Sequence, residues 1–177
     1  GVLLLDGPVY MDKETTVSNF KQIYGEIKTD GDDVKHPDKL YSYAISSKIY
    51  INPQPPNTRP SVSKFTPLVN FEWKPLLSYE TSTNTLQASM NGKNVFKEPV
   101  TLPLQKWNTI VLNLKDSMLD VWINGKLVGT GPATEDKRNY ETITVGSHNG
   151  VEGAIKDVRF FHSTLGLSQI KALSSVF

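Results

Sequence analysis

A chain of 177 residues with 38% hydrophobic side chains is long enough for one packed domain and too apolar for wholesale disorder. Nineteen basic and eighteen acidic residues leave a formal charge of +1, without a long run of like charge, which argues against a nucleic-acid binder. The absence of cysteine excludes disulfides, thiolate metal sites and thiol nucleophiles, and no apolar stretch of about 18 residues is present to span a bilayer as a helix. The missing cysteines lean toward a cytosolic or virus-factory origin.

In chain order, "GVLLLDG" reads as a first strand ended by the Asp6-Gly7-Pro8 turn, with the tail of a removed signal or anchor as the other reading. "TDGDDVKHPDKL" (29–40) is polar and reads as a long loop. "YSYAISSKIYI" (41–51) places Tyr43, Ile45, Ser47, Ile49 and Ile51 on one face of a strand, and the proline-rich "NPQPPNTRPS" after it marks a surface loop. "FTPLVNF" (65–71) and "PLLSYE" (75–80) are joined by a short loop around Glu72-Trp73-Lys74. "NTLQASM" (84–90) runs into Asn91-Gly92, a pair suited to a tight hairpin turn. "LPLQKW" leads into "NTIVLNLK" (108–115) and then "LDVWINGKLVGTG" (119–131), with a second Asn-Gly turn at Asn124-Gly125. There Leu119, Val121 and Ile123 point one way, and Asp120, Trp122 and Asn124 the other. "TITVG" (142–146) and "GAIKDVRFF" (153–161) complete the strands, and the tail offers Ser168 as a cap with Ile170 and Leu173 at helical spacing. Many short strands and one short helix predict an all-β sandwich or barrel in a single domain over 1–177.

The order of these segments resembles the laminin-G-like branch of the concanavalin A-like lectin/glucanase superfamily. Three stretches carry the resemblance: "YSYAISSKIYINP", "LQKWNTIVLNLKDSMLDVWINGKLV" and "ITVGSHNGVEGAIKDVRFFHSTLGLSQIKAL". It covers about residues 40–175 and implies a two-sheet antiparallel jelly roll with a short C-terminal helix. "INPQPPNTRPSVSKFTPLVNF" also looks like laminin-G-like proteins of large DNA viruses. In the family, Trp107 is expected to pack at the sandwich edge as a core residue. Gly153 lets its strand start close to another backbone, and Asp157 and Arg159 share the face opposite Val158 and Phe160, where they could pair.

Glycoside hydrolysis needs two carboxylates flanking the bond. The resembled glucanases present them as Glu-x-Asp-x-x-Glu on one strand, and no such string occurs here. Asp120 stands alone among apolar neighbours, and Glu135 and Asp136 are adjacent, so they would face opposite ways on a strand. His36, His148 and His162 lie in unrelated contexts, and no Gly-x-Ser-x-Gly elbow, Walker motif or dinucleotide fingerprint is present. Asp30, Asp32, Asp33 and Asp38 could suggest calcium but lack the spacing and closing Glu of an EF-hand. No catalytic residue, metal or cofactor is therefore expected, and the chain is read as not an enzyme.

The expected role is a structural or interaction module that presents a surface. Its partners would be other proteins of a larger assembly, a virion of a large DNA virus with capsid or membrane proteins, held through an anchor before Gly1 or through the edge strand. The other reading is a lectin-like glycan-binding domain. Candidate contact residues are Trp73 at a loop tip, Trp122 on an otherwise polar strand face, and His148-Asn149 in "GSHNG". Trp122 is expected to lie under a loop or a partner.

Overall fold

The computed structural model describes residues 1–19, 22–23, 29–30, 33–34, 42–53, 65–133 and 142–175, with the backbone alone at 29–30 and 33–34. The chain begins with β1 (Val2–Leu5), β2 (Val9–Tyr10), β3 (Thr15–Thr16), β4 (Thr29–Asp30) and β5 (Asp33–Val34). The long β6 (Ser42–Ile51) precedes β7 (Thr66–Asn70), β8 (Leu76–Glu80), β9 (Thr85–Met90), β10 (Lys93–Asn94) and β11 (Val100–Thr101). β12 (Trp107–Lys115), β13 (Met118–Ile123), β14 (Lys126–Pro132), β15 (Thr144–Val145) and β16 (Gly153–Phe161) lead to the helix α1 (Leu167–Ser175).

Two antiparallel sheets form the sandwich. The first runs β1-β16-β6-β12-β13-β14, with β2 also on β16; the second runs β10-β9-β8-β7-β15-β3, with β11 also on β9. The alternation of β6 aims Tyr43, Ile45, Ile49 and Ile51 between the sheets, all nearly fully buried. Register stacks Ile45 beside Leu112 and Leu112 beside Val121, and sets Ile110 against Ile123. The second sheet answers with Leu68, Phe71, Leu77, Tyr79 and Leu86 in the same apolar cluster. Each such side chain contributes roughly 1.5–3 kcal/mol by leaving water.

Both Asn-Gly pairs take the left-handed backbone that closes a two-residue hairpin: Asn91 and Gly92 at φ 54° and 80°, Asn124 and Gly125 at 51° and 82°. At Gly153, a Cβ would collide with the Tyr50 carbonyl, so β16 starts where only glycine fits.

Strand β16 carries a bulge. Lys156 faces Lys48 and Arg159 faces Ser46, so one extra residue is accommodated between them, with Asp157 at φ 49°. The Asp157 N–H donates to the Asp6 carbonyl at 3.2 Å. Without the bulge, Asp157 would follow Gly153 and Ile155 into the core; with it, Val158 and Phe160 take the inward positions. Asp157 and Arg159 form no ion pair with each other.

The tail helix docks on the outer face of the first sheet. Ile170 and Leu165 are buried against Ala44 and Val111, with Trp122, Phe161 and Leu173 packed around them. Asn113 fastens the approach to the helix, its Nδ2 donating to the Leu165 carbonyl and its Oδ1 accepting from the Leu165 N–H, both at 3.0 Å. The expected cap at Ser168 is corrected. Ser168 lies inside the first turn, and the Gly166 N–H donates instead to Gln169 Oε1 at 2.8 Å, as the reciprocal half of a capping box does. Trp107 is corrected too: it is only partly buried, on the outer face against Tyr50, and lies outside the core clusters.

Candidate functional site

Trp73 stands at the β7–β8 turn with its side chain 62% exposed. Its backbone is tightly held. Glu72 and Trp73 have φ of 49° and 72°, uncommon for a bulky residue, and the Trp73 N–H donates to Asn70 Oδ1 at 2.6 Å. The turn closes through Phe71 N–H to the Pro75 carbonyl and Lys74 N–H to the Phe71 carbonyl, both at 3.0 Å. From the core side, the Tyr43 hydroxyl donates to the Lys74 carbonyl at 3.2 Å. An indole on a rigid, strained turn makes a flat apolar platform in water.

His148 and Asn149 are exposed in the loop after β15, with Asn149 at φ 55°. This loop bonds to the start of the chain, Ser147 N–H donating to the Met11 carbonyl at 3.2 Å. The Met11 N–H donates to Gly153, which pairs with Ile51 at the far end of β6. The Trp73 turn instead bonds to Tyr43 at the near end of β6. The two candidates therefore occupy opposite ends of the sandwich and do not form one site.

Trp122 is partly buried, packed against the chain's own helix α1. Its Nε1 is buried without a hydrogen-bond acceptor.

Sequence reasoning missed the outer face of the first sheet as a site. Register places residues there in successive rows: Tyr10, Ala154, Tyr50 and Trp107 in the first; Lys156, Lys48 and Thr109 in the second; Arg159, Ser46, Val111 and Trp122 in the third. The helix packs on Val111 and Trp122 of the third row, and the second row with Ser46 and Arg159 lies beside it as a cleft of about 440 Å³. Lys48 and Thr109 line the sheet side with Asp157 and Arg159, while Phe161, Leu165 and Leu173 form the helix side. The Lys156 ammonium sits 4.3 Å from the centre of the Trp107 ring. Lys48 is only 6% exposed, and burial pushes its ammonium below the usual lysine range, with Asp157 opposing that shift and Lys156 and Arg159 reinforcing it. The only hint in the sequence is a lysine at an outward position of an otherwise apolar and serine-rich strand.

Of the other sequence candidates, His162 is exposed and sits edge-on to Phe160, with ring centres 5.0 Å apart. His36, Asp32, Asp38, Glu135, Asp136 and most of "NPQPPNTRPS" lie outside the described residues, as do the side chains of Asp30 and Asp33. Among the described residues, no three His, Cys, Asp or Glu side chains group as metal ligands, and no helix is long and apolar enough to cross a membrane.

A family model for the concanavalin A-like lectin/glucanases superfamily matches residues 28–171, and the chain belongs to that superfamily. No curated protein matches the sequence. Among solved structures, a sialidase of Trypanosoma rangeli is similar at a TM-score of 0.61 and 14% identity, over 76% of this chain and 22% of its own. The same sialidase in complex with sialic acid gives 0.60 and 15%, over 76% and 23%. The binding domain of botulinum neurotoxin serotype D/C gives 0.53 and 19%, over 76% and 36%. The chain thus spans about a quarter of the sialidase chains, and these likenesses are of fold.

They nevertheless overturn the reading of the chain as not an enzyme. The fold occurs within chains of sialidases, one of them a mutant displaying trans-sialidase activity. The sequence argument tested only for the carboxylate pair of glucanases. Sialidases are an exception to that chemistry, using a tyrosine nucleophile. The missing Glu-x-Asp-x-x-Glu string therefore does not separate this chain from enzymes.

Proposed function

We propose that the chain is a lectin-like binding module that meets a glycan at the Trp73 turn. The observation that carries this reading is the Trp73 indole, 62% exposed yet mounted on a turn held by Asn70 and Tyr43. Sugar rings present apolar faces to such a platform, and a backbone fixed in advance lowers the ordering cost of binding. Membership of a superfamily of lectins and glucanases supports the same reading. The test is a glycan array probed with the wild-type chain and Trp73→Ala. Wild-type binding to a defined set of glycans that is lost in Trp73→Ala is the expected result. Equal binding by both proteins, or none by either, would overturn it.

A second reading, docking within a larger assembly such as the particle of a large DNA virus, is favoured by the two edges of the first sheet. Leu3 on β1 and Leu127 on β14 are 39% and 49% exposed, on strands that end the first sheet among the described residues. Apolar edges of this kind invite pairing with another chain.

A further inference from the structure

We propose that the cleft between α1 and the outer face of the first sheet binds a small organic carboxylate, with its anionic head at Lys48 and Arg159 and its apolar body along the helix. This goes beyond the glycan contact proposed at Trp73 and concerns a different face of the molecule.

The argument begins with Lys48. It is 94% buried by its 6% exposure, lines the cleft, and makes no hydrogen bond or ion pair within 4 Å among the described residues. The stem is packed away while the ammonium opens to the cleft, so a ligand that fills the cleft must meet that charge with an acceptor of its own. Register places Lys156 directly beside Lys48, and Arg159 one row along. Both add positive potential at Lys48, and Asp157 is the carboxylate that opposes them. The lining itself holds two cations and one carboxylate, so the charge left to be met is positive.

The bulge in β16 creates this arrangement. The extra residue brings Asp157 to the cleft and shifts Arg159 into line with Ser46. The Arg159 guanidinium offers a planar fork suited to a carboxylate, and Thr109 adds a hydroxyl beside Lys48. The opposite wall is of another character, with Phe161 from the end of β16 and Leu165 and Leu173 from the helix and its approach. A volume of about 440 Å³ falls within the range of small-ligand sites, in which apolar walls surround a few placed polar groups. A fully polar anion would leave that wall unused, and a neutral apolar molecule would leave Lys48 unmet. One ligand with a carboxylate at one end and a hydrocarbon body satisfies both sides.

The test is calorimetric titration of the full chain with octanoate, octan-1-ol, octylamine and acetate. Octanoate is expected to bind saturably at one site, and octan-1-ol and octylamine at least about tenfold more weakly, since a hydrogen bond to a charged group is worth roughly that factor; acetate is expected to be at least as weak because it lacks the hydrocarbon body. Lys48→Met, which removes the charge and keeps most of the stem volume, is expected to retain the fold by thermal melting and to weaken octanoate about tenfold or more. Leu173→Trp, which fills the cleft from the helix side, is expected to block octanoate while Trp73→Ala leaves it unchanged. Equal affinity for octanoate and octan-1-ol, unchanged binding in both Lys48→Met and Leu173→Trp, or no saturable octanoate binding would overturn the proposal. Loss of glycan binding in Trp73→Ala with octanoate intact would leave the two sites independent.

Discussion

Asn124 sits in an Asn-Gly turn, but its side chain does more than allow the left-handed backbone. Its Oδ1 accepts from the Thr109 N–H at 2.9 Å and its Nδ2 donates to Asn108 Oδ1 at 2.9 Å. Asn108 is itself fully buried and donates to the Pro103 carbonyl at 2.8 Å. Asparagine chemistry therefore ties the β13–β14 turn to β12, the strand beside the one it leaves. Asn113 works similarly for the helix, and its loss would orphan both the N–H and carbonyl of Leu165. Asn113→Ala is expected to cost about 1–3 kcal/mol in denaturant titration, the penalty of a buried unsatisfied pair. Tyr79 gives a pH dependence. Burial pushes its phenol up to about 12 from 10.0, and the hydroxyl donates to Asn84 Oδ1. The unfolded chain releases that proton near pH 10 while the folded chain keeps it, so the Tyr79 contribution to stability falls between pH 10.0 and about 12. Lys48 acts in the opposite sense: its folded value lies below 10.5, so its contribution rises as the pH approaches 10.5. Alkaline denaturant series on wild type, Tyr79→Phe and Lys48→Met are expected to show the loss flattened in the first variant and the rise removed in the second.

Among the elements, β13 and α1 show how one strand serves two layers. Val121 and Ile123 face the main core, while Trp122 between them faces the helix. Ile123→Ala is expected to cost about 2–5 kcal/mol by opening a cavity in the sandwich. Ile170→Ala is expected to cost a comparable amount and to loosen α1. In a background with Trp73 and Trp107 replaced by Phe, that loosening is expected to appear as red-shifted emission and easier quenching of Trp122. Unchanged quenching would show that the helix is not what shields the indole. The apolar alternation of β6 and β13 was legible in the sequence because a period of two needs no knowledge of partners. The bulge was not, because whether Asp157 turns inward depends on the register of β16 against β6.

At the scale of the whole molecule, the sandwich separates three surfaces: the Trp73 turn at one end, the His148-Asn149 loop at the other, and the cleft on the outer face. The exposed edges at Leu3 and Leu127 are the surfaces on which the assembly reading rests. That reading is checked by the mass of the isolated chain in solution and by Leu3→Lys and Leu127→Lys. Self-association or capture in purified particles that disappears in these variants supports it. A monomer at all concentrations, with no copy of the chain in particles, counts against it.

By itself the sequence determined the all-β class, most of the longer strands, both Asn-Gly turns, the inward residues of β6, β12 and β13, and the superfamily. All of these depend on local spacing or on turn chemistry carried by one or two residues. It also singled out Trp122 as an apolar residue on a face that alternation leaves outward. Only the tertiary structure decided what covers it, because a nine-residue helix docks there through contacts far apart in the chain. Only register could place Trp73 and His148 at opposite ends, or bring Lys48, Asp157 and Arg159 to one cleft beneath that helix. A lysine in an apolar strand is an isolated observation in one dimension; its burial and its charged neighbours arise when three strands and a helix pack together.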